Sequence, residues 1–173
     1  MSSKKMPFPK NFAAISLLYG VISAVLMALL TLAFYYVSGS GSTPVIIWNY
    51  LILAFAMFFG IKAYQKKINK DIITFKEAYV SGVFIGITTA VIFAVFMIFY
   101  TKYIDIEFIK NFISINSLKI NKDITADELK QQIQLITPAI IGFYAFGQLI
   151  LISLFLPLLI FIFFKHRKTV NSK

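Results

Sequence analysis

Charged residues disappear from this chain over long intervals. None occurs in 11–61, 78–101 or 132–164, where apolar side chains dominate. The hydrocarbon core of a bilayer is about 30 Å thick and an α-helix rises about 1.5 Å per residue, so one crossing takes roughly 20 apolar residues. The first interval holds two crossings, because Ser38-Gly39-Ser40-Gly41-Ser42-Thr43-Pro44 divides it with turn-forming residues. The pattern therefore predicts four spans, over about 12–37, 45–63, 75–101 and 138–164. The first is long enough to require tilt. A cleaved signal peptide competes for that segment, since Lys4, Lys5 and Lys10 precede it and small residues follow Val37. Its apolar run exceeds the usual h-region of about 7–15 residues, which favours the span.

Lysine and arginine set the expected orientation. The N-terminus carries Lys4, Lys5 and Lys10, the central loop Lys62, Lys66, Lys67, Lys70 and Lys76, and the tail Lys165, Arg167, Lys168 and Lys173. With four spans these three segments share one side. The 38–44 turn is uncharged, and the 102–137 loop balances its lysines with Asp105, Glu107, Asp123, Asp127 and Glu128. The positive-inside bias makes both termini cytoplasmic. Tyr35, Tyr36, Trp48, Tyr50, Tyr100 and Tyr103 then mark the outer boundary, and Tyr64 and Tyr79 the inner one; such rings settle at headgroup depth.

Composition narrows the function classes. With 173 residues, 59% of them hydrophobic, there is room for one integral domain spanning 1–173 and little else. Mean hydropathy is +0.81, outside the range of soluble domains. The formal charge of +10 invites a nucleic-acid reading, yet the basic residues sit at span ends instead of on a soluble face with interleaved aromatics. Nucleic acid is not an expected partner. Cysteine is absent, which removes thiolate chemistry, disulfides and Cys-ligated metals together.

Small residues recur along two of the spans. Ala78, Gly82, Gly86, Ala90 and Ala94 come every fourth residue in the third, and Ser16, Gly20, Ala24 and Ala28 in the first. Lipid tails are as apolar as leucine, so membrane helices associate through close backbone approach, which such ladders permit. The expectation is contact between the first and third spans, with the fold read as two parallel two-helix repeats. Contact between copies of the chain through one ladder is the alternative.

Two capping boxes are written into the connections. In Thr74-Phe75-Lys76-Glu77 the threonine hydroxyl can accept from the Glu77 N–H while the Glu77 carboxylate returns to the Thr74 N–H. Asp71 and Glu77 as a proton or cation pair is the functional alternative there. Thr125-Ala126-Asp127-Glu128 repeats the box inside the 102–137 loop, followed by Leu129, Ile133 and Ile136 on one helical face. Ile104, Phe108, Ile109 and Phe112 mark a second apolar face upstream. The loop is thus expected to be partly helical, lying on the bundle or at the membrane surface or serving as a docking surface for a membrane or periplasmic protein.

Chemistry-bearing residues are few. His166 stands in the basic tail, and Ser16, Ser23, Ser81 and Ser153 have no neighbouring base, so they read as packing residues rather than nucleophiles. No cofactor or metal site is expected, and the protein reads as a non-enzyme. No ionisable residue, the usual mark of an ion path, lies within a span away from its ends. Gln148 is the deepest strongly polar side chain and reads as an interhelical clamp, with substrate contact as the alternative. Pro157 lacks the N–H that would bond the Ser153 carbonyl and should kink the last span. Lys62, Lys66, Lys67 and Lys70 set topology and are placed to meet anionic lipid headgroups.

Tyr19-Gly20 in the first span, the Thr74-Phe75-Lys76-Glu77-Ala78-Tyr79 junction followed by Gly82, and a last apolar helix running into a basic tail resemble family 4199 of the domains of unknown function, found mainly in Bacteroidota. The resemblance covers essentially the whole chain. It implies a four-helix inner-membrane protein and supplies no catalytic residue. The sequence thus describes an all-α polytopic membrane protein: a four-transmembrane-helix bundle with both termini cytoplasmic and a partly helical outer loop. Its expected role is that of a non-catalytic accessory or assembly protein of the bacterial inner membrane. The alternative is a small transporter or channel subunit acting as an oligomer.

Overall fold

The computed structural model describes residues 11–39, 45–67, 73–120 and 125–166. Every regular element among them is helical: α1 Asn11–Ser38, α2 Val45–Lys67, α3 Phe75–Phe99, α4 Phe108–Ile120, α5 Ala126–Leu135 and α6 Pro138–His166. A π-helical turn, Tyr100–Ile104, continues α3 before the chain bends into α4. Four segments are long and apolar enough to cross a bilayer, namely Phe12–Ser38, Ile47–Lys67, Phe75–Ile104 and Pro138–Ile162. The chain is an all-helical membrane bundle. Lys70 and Asp71, like Lys4, Lys5, Lys10, Arg167, Lys168, Lys173 and residues 40–44, lie outside the described residues.

Position along the chain explains the ends of these helices. α3 begins where Thr74 adopts an extended conformation and accepts the Glu77 N–H, so the first turn is capped by side chains rather than water. α1 ends at Ser38, where Gly39 takes a positive φ of 77° and its N–H returns to the Tyr35 carbonyl at 3.0 Å. A left-handed residue after the last turn is what glycine supplies without steric cost. Pro157 lies inside α6, and the helix continues through it.

α3 is the hub. It packs most extensively on α6, then on α1, and also meets α2, so α1 and α6 lie on different sides of it. Met27, Leu53, Met57, Ile61, Ile85 and Phe93 fill the space between. α1 and α2 approach at Gly60, where an added Cβ would lie 3.2 Å from the Tyr19 ring. α4 and α5 pack on each other, and α4 lays Phe108, Ile109 and Phe112 against the bundle core with Ile113 buried. α4, with α5 packed on it, thus lies as a cap against the end of the bundle where α1 and α3 finish and α6 begins. The opposite end carries Lys62, Lys66, Lys67 and Lys76.

One expectation changes here. The first and third spans do touch, but the Gly82 and Gly86 face of α3 is turned toward α6. A Cβ on Gly82 would meet the Pro157 ring at 2.6 Å, and one on Gly86 would overlap Ser153. Further along, a Cβ on Gly142 of α6 would lie 2.5 Å from Ile98 and 3.0 Å from the Ala94 carbonyl oxygen. Ala78 and Ala90 are buried along the same helix. α1 reads a neighbouring stripe of α3: a Cβ on Gly20 would meet Thr88 at 2.5 Å. Small residues permit close approach but do not choose the partner, and α3 has two neighbours to receive them. The Pro157 ring and the Ser153 side chain need the side-chain-free surface that glycine gives.

Candidate functional site

Polar side chains inside the spans fall into two groups. The first returns its hydroxyls to the helix: Thr31 donates to Met27 O, Thr101 to Met97 O and Ser153 to Leu149 O, at 2.8, 2.8 and 2.6 Å. A hydroxyl bonded to the carbonyl four residues back is satisfied within its own chain and leaves no demand on a ligand. The second group reaches between helices. Thr89 donates both to Ile85 O at 2.9 Å and across to Gly20 O at 3.2 Å. The Ser16 and Ser81 hydroxyls meet at 3.4 Å. Ser16, Gly20 and Ala24 are buried on α1, and Ala28 is half-buried.

Gln148 has a partner that its sequence position alone did not name. The Tyr50 hydroxyl donates to Gln148 Oε1 at 3.4 Å, joining α2 to α6. Tyr50 had the look of a boundary ring; it is instead half-buried and turned to the last helix. Its neighbour Asn49 is buried with Oδ1 lacking a hydrogen-bond partner, and the buried Tyr64 hydroxyl near the other end of α2 lacks one as well.

Asp105 is the largest departure from the linear pattern. Read as one loop charge among several, it is only 2% exposed. The Tyr100 hydroxyl donates to its carboxylate at 3.1 Å. Its backbone N–H closes the π turn onto Tyr100 O at 2.9 Å, and its carbonyl receives the Phe108 N–H at 3.1 Å as α4 begins. Tyr100 is itself wedged edge-on against Tyr35 of α1 and Phe108 of α4, with ring centroids 6.1 and 5.9 Å away. Phe112 meets Tyr144 of α6 at 5.8 Å. A single acidic residue therefore fixes the corner where the third span turns into the cap. Its sequence signal was faint: apolar neighbours on both sides, Ile104 and Ile106, and a tyrosine five residues back, the spacing of a π turn.

The capping boxes have the following geometry. At α3 the Thr74 N–H donates to Glu77 Oε2 at 3.0 Å and the Glu77 N–H to Thr74 Oγ1 at 3.3 Å. At α5 the Thr125 N–H donates to Glu128 Oε2 at 2.9 Å and the Glu128 N–H to Thr125 Oγ1 at 3.3 Å. The Thr125 backbone N–H, and then its hydroxyl, hold the Glu128 carboxyl below its ordinary value of 4.5. Of the lysines placed near headgroups, Lys66 and Lys67 are exposed and Lys62 half-buried. Among the described residues no cluster of three or more His, Cys, Asp or Glu is arranged to hold a metal.

The arrangement can clamp helices and fix a cap: Thr31, Thr89, Thr101 and Ser153 bond backbone carbonyls, and Asp105 takes the Tyr100 hydroxyl. No curated protein and no solved structure matches the chain. The profile of the family described as a protein of unknown function, DUF4199, matches residues 18–168. That match takes in most of the first span, the other three spans and the cap, and the chain belongs to the DUF4199 family.

Proposed function

We propose that this protein is a non-catalytic accessory or assembly protein of the bacterial inner membrane, with both termini cytoplasmic and the capped end facing a membrane or periplasmic protein partner. The carrying observation is the cap. α4 spends its apolar face on the bundle through Phe108, Ile109, Phe112 and Ile113, while α5 leaves Asp127, Glu128, Lys130, Gln131 and Gln134 exposed. An exposed polar face outside the spans is the surface that the partner reading takes for contact. Orientation rests on the lysine distribution. The non-catalytic reading draws on the span hydroxyls of Thr31, Thr89, Thr101 and Ser153, each bonded to a backbone carbonyl.

A second reading, a small transporter or channel subunit working as an oligomer, draws on Asn49 and Tyr64, whose unpaired polar atoms are buried toward the two ends of α2. One experiment separates the two. The chain is affinity-purified in mild detergent as wild type and as Asp127→Lys with Lys130→Glu, which changes only exposed side chains of α5. A stoichiometric partner held by the wild type and lost by the variant is the expected result. A lone homo-oligomer that moves solute in vesicles, and stops doing so when Asn49 becomes leucine, would replace the accessory reading. Exchanging the whole cap for a linker is a poorer test, because Asp105 and Phe108 also hold the bundle end.

A further inference from the structure

Two large apolar side chains outside the spans are almost fully exposed: Ile106 at 75% and Leu135 at 74%. They come from different parts of the cap, one just after the π turn and one at the end of α5. Chain geometry restricts where they can be. Phe75–Ile104 has 30 residues, about 45 Å of helix, and Pro138–Ile162 has 25, about 38 Å. A bilayer with its headgroups is about 40–45 Å thick, so both spans end within or at the edge of the headgroup layer. Ile106 follows one such end by two residues and Leu135 precedes the other by three, so neither can stand far into water.

What covers them follows from what lies beneath. On α3 the exposed residues Val91, Val95 and Phe99 recur every fourth position, and the exposed Tyr103 of the π turn follows at the same spacing, three residues before Ile106. The Phe99 and Tyr103 rings stack at 6.1 Å, and the Lys102 ammonium sits 5.1 Å from the Tyr103 ring centre, where it also suits a lipid phosphate. On α6 the exposed Ile140, Phe143 and Leu151 belong to the span that begins three residues after Leu135. Both apolar residues therefore adjoin, along the chain, spans whose exposed apolar side chains face acyl chains.

We propose that the cap is seated in the headgroup layer of its own leaflet, with Ile106 and, at the C-terminal end of α5, Leu135 as apolar anchors dipping to the acyl boundary and the N-terminal end of α5, at Asp127, turned to water. Apolar residues at this depth hold interfacial segments flat, as in amphipathic surface helices. The proposal rests on the four spans and not on the partner reading. A cap raised clear of the membrane would leave that reading standing while overturning this one.

The test uses the full chain in phosphatidylcholine nanodiscs holding one copy each. Trp48 is the sole tryptophan, so a Trp48→Phe background leaves a tryptophan-free chain into which Ile106→Trp, Leu135→Trp or Asp127→Trp is placed. Tryptophan at 106 and at 135 should emit at shorter wavelength than at 127 and lose most of its emission to brominated acyl chains. At 127 it should instead be quenched by iodide. Iodide quenching at 106 and 135 without bromolipid quenching would overturn the proposal. So would protection from both quenchers, which means that the cap folds over itself. Should either tryptophan prevent reconstitution, nitroxide labels on Ile106→Cys and Leu135→Cys in this cysteine-free chain give the same answer. Greater access to oxygen than to a water-soluble nickel complex supports membrane seating, and the reverse removes it.

Discussion

The two seams of α3 use small residues in opposite ways. Against α1, Ser16 meets Ser81 and Thr89 reaches the Gly20 carbonyl, so approach brings hydrogen bonds with it. Against α6 the contacts are steric: Gly82 receives the Pro157 ring, Gly86 the Ser153 side chain, and Gly142 the Ile98 side chain. The first seam tolerates modest loosening at Thr89, whose hydroxyl keeps an alternative acceptor in Ile85 O. The second has no such reserve. Membrane helices gain from packing rather than from leaving water, and a misplaced methylene in a glycine contact forfeits that packing directly.

The sharpest way to break the comparison is to fill the glycine seam. Gly86→Leu, and next Gly82→Leu, should destabilise the bundle by about 3 kcal/mol or more, at or beyond the upper end of ordinary overpacking costs. Thermal melting in detergent reads it, with Gly147→Leu as the control, since nothing lies within 4 Å of a Cβ there. Equal melting of all three would mean that α6 does not sit on this face. Cross-linking sharpens the same point: a cysteine pair at 20 and 82 should not join under mild oxidation, because the Gly82 face is turned to Pro157.

Smaller effects are expected at the hydroxyl seam. Thr89→Val should cost about 0.6 kcal/mol, the typical worth of a hydrogen bond between membrane helices. A loss as large as that of Gly86→Leu would erase the distinction between the seams. Tyr50→Phe and Gln148→Leu should each cost about 0.5–2 kcal/mol, and the double variant should lose little more than the larger single one, because both remove the same bond. Simple additivity in denaturation would show the pair to be uncoupled.

The weakest expected effect is pH-dependent and sits in the cap. Because the Glu128 carboxyl is held below 4.5 in the folded chain, its capping contribution is complete above that value and is lost as pH falls through the lower folded one. Amide exchange at the start of α5 should therefore accelerate, relative to its intrinsic rate, on going from about pH 6 to about pH 3. Thr125→Val should remove that response. An unchanged pH response in the variant would assign it to another group.

Much of this molecule was legible along the chain, for reasons that differ by element. The spans were readable because a bilayer demands a fixed length of apolar helix. Both capping boxes were readable because they are local, needing only residues three apart. The α5 face of Leu129, Ile133 and Ile136 followed from helical periodicity, and those three are the half-buried residues of that segment. The Tyr50–Gln148 bond was not legible, since it joins residues 98 positions apart. Nor was the burial of Asp105, which depends on α4 folding back over the π turn. The direction of the Gly82 and Gly86 face was misjudged because spacing specifies a groove without naming what fills it.

By itself the sequence determined that four helices cross a membrane, where two of the helices begin, and that the third span is built for close neighbours. Those properties follow from solvent and from local hydrogen bonding, both fixed by residues near one another in the chain. The tertiary structure alone decided that α6 takes the glycine face and α1 the hydroxyl stripe, that Asp105 is withdrawn from water at the corner of the cap, and that Ile106 and Leu135 are left uncovered. Each depends on which surfaces meet. Among helices that are apolar on every side, that choice is made by the fit of side chains such as the Pro157 ring in its glycine notch, which no linear pattern encodes.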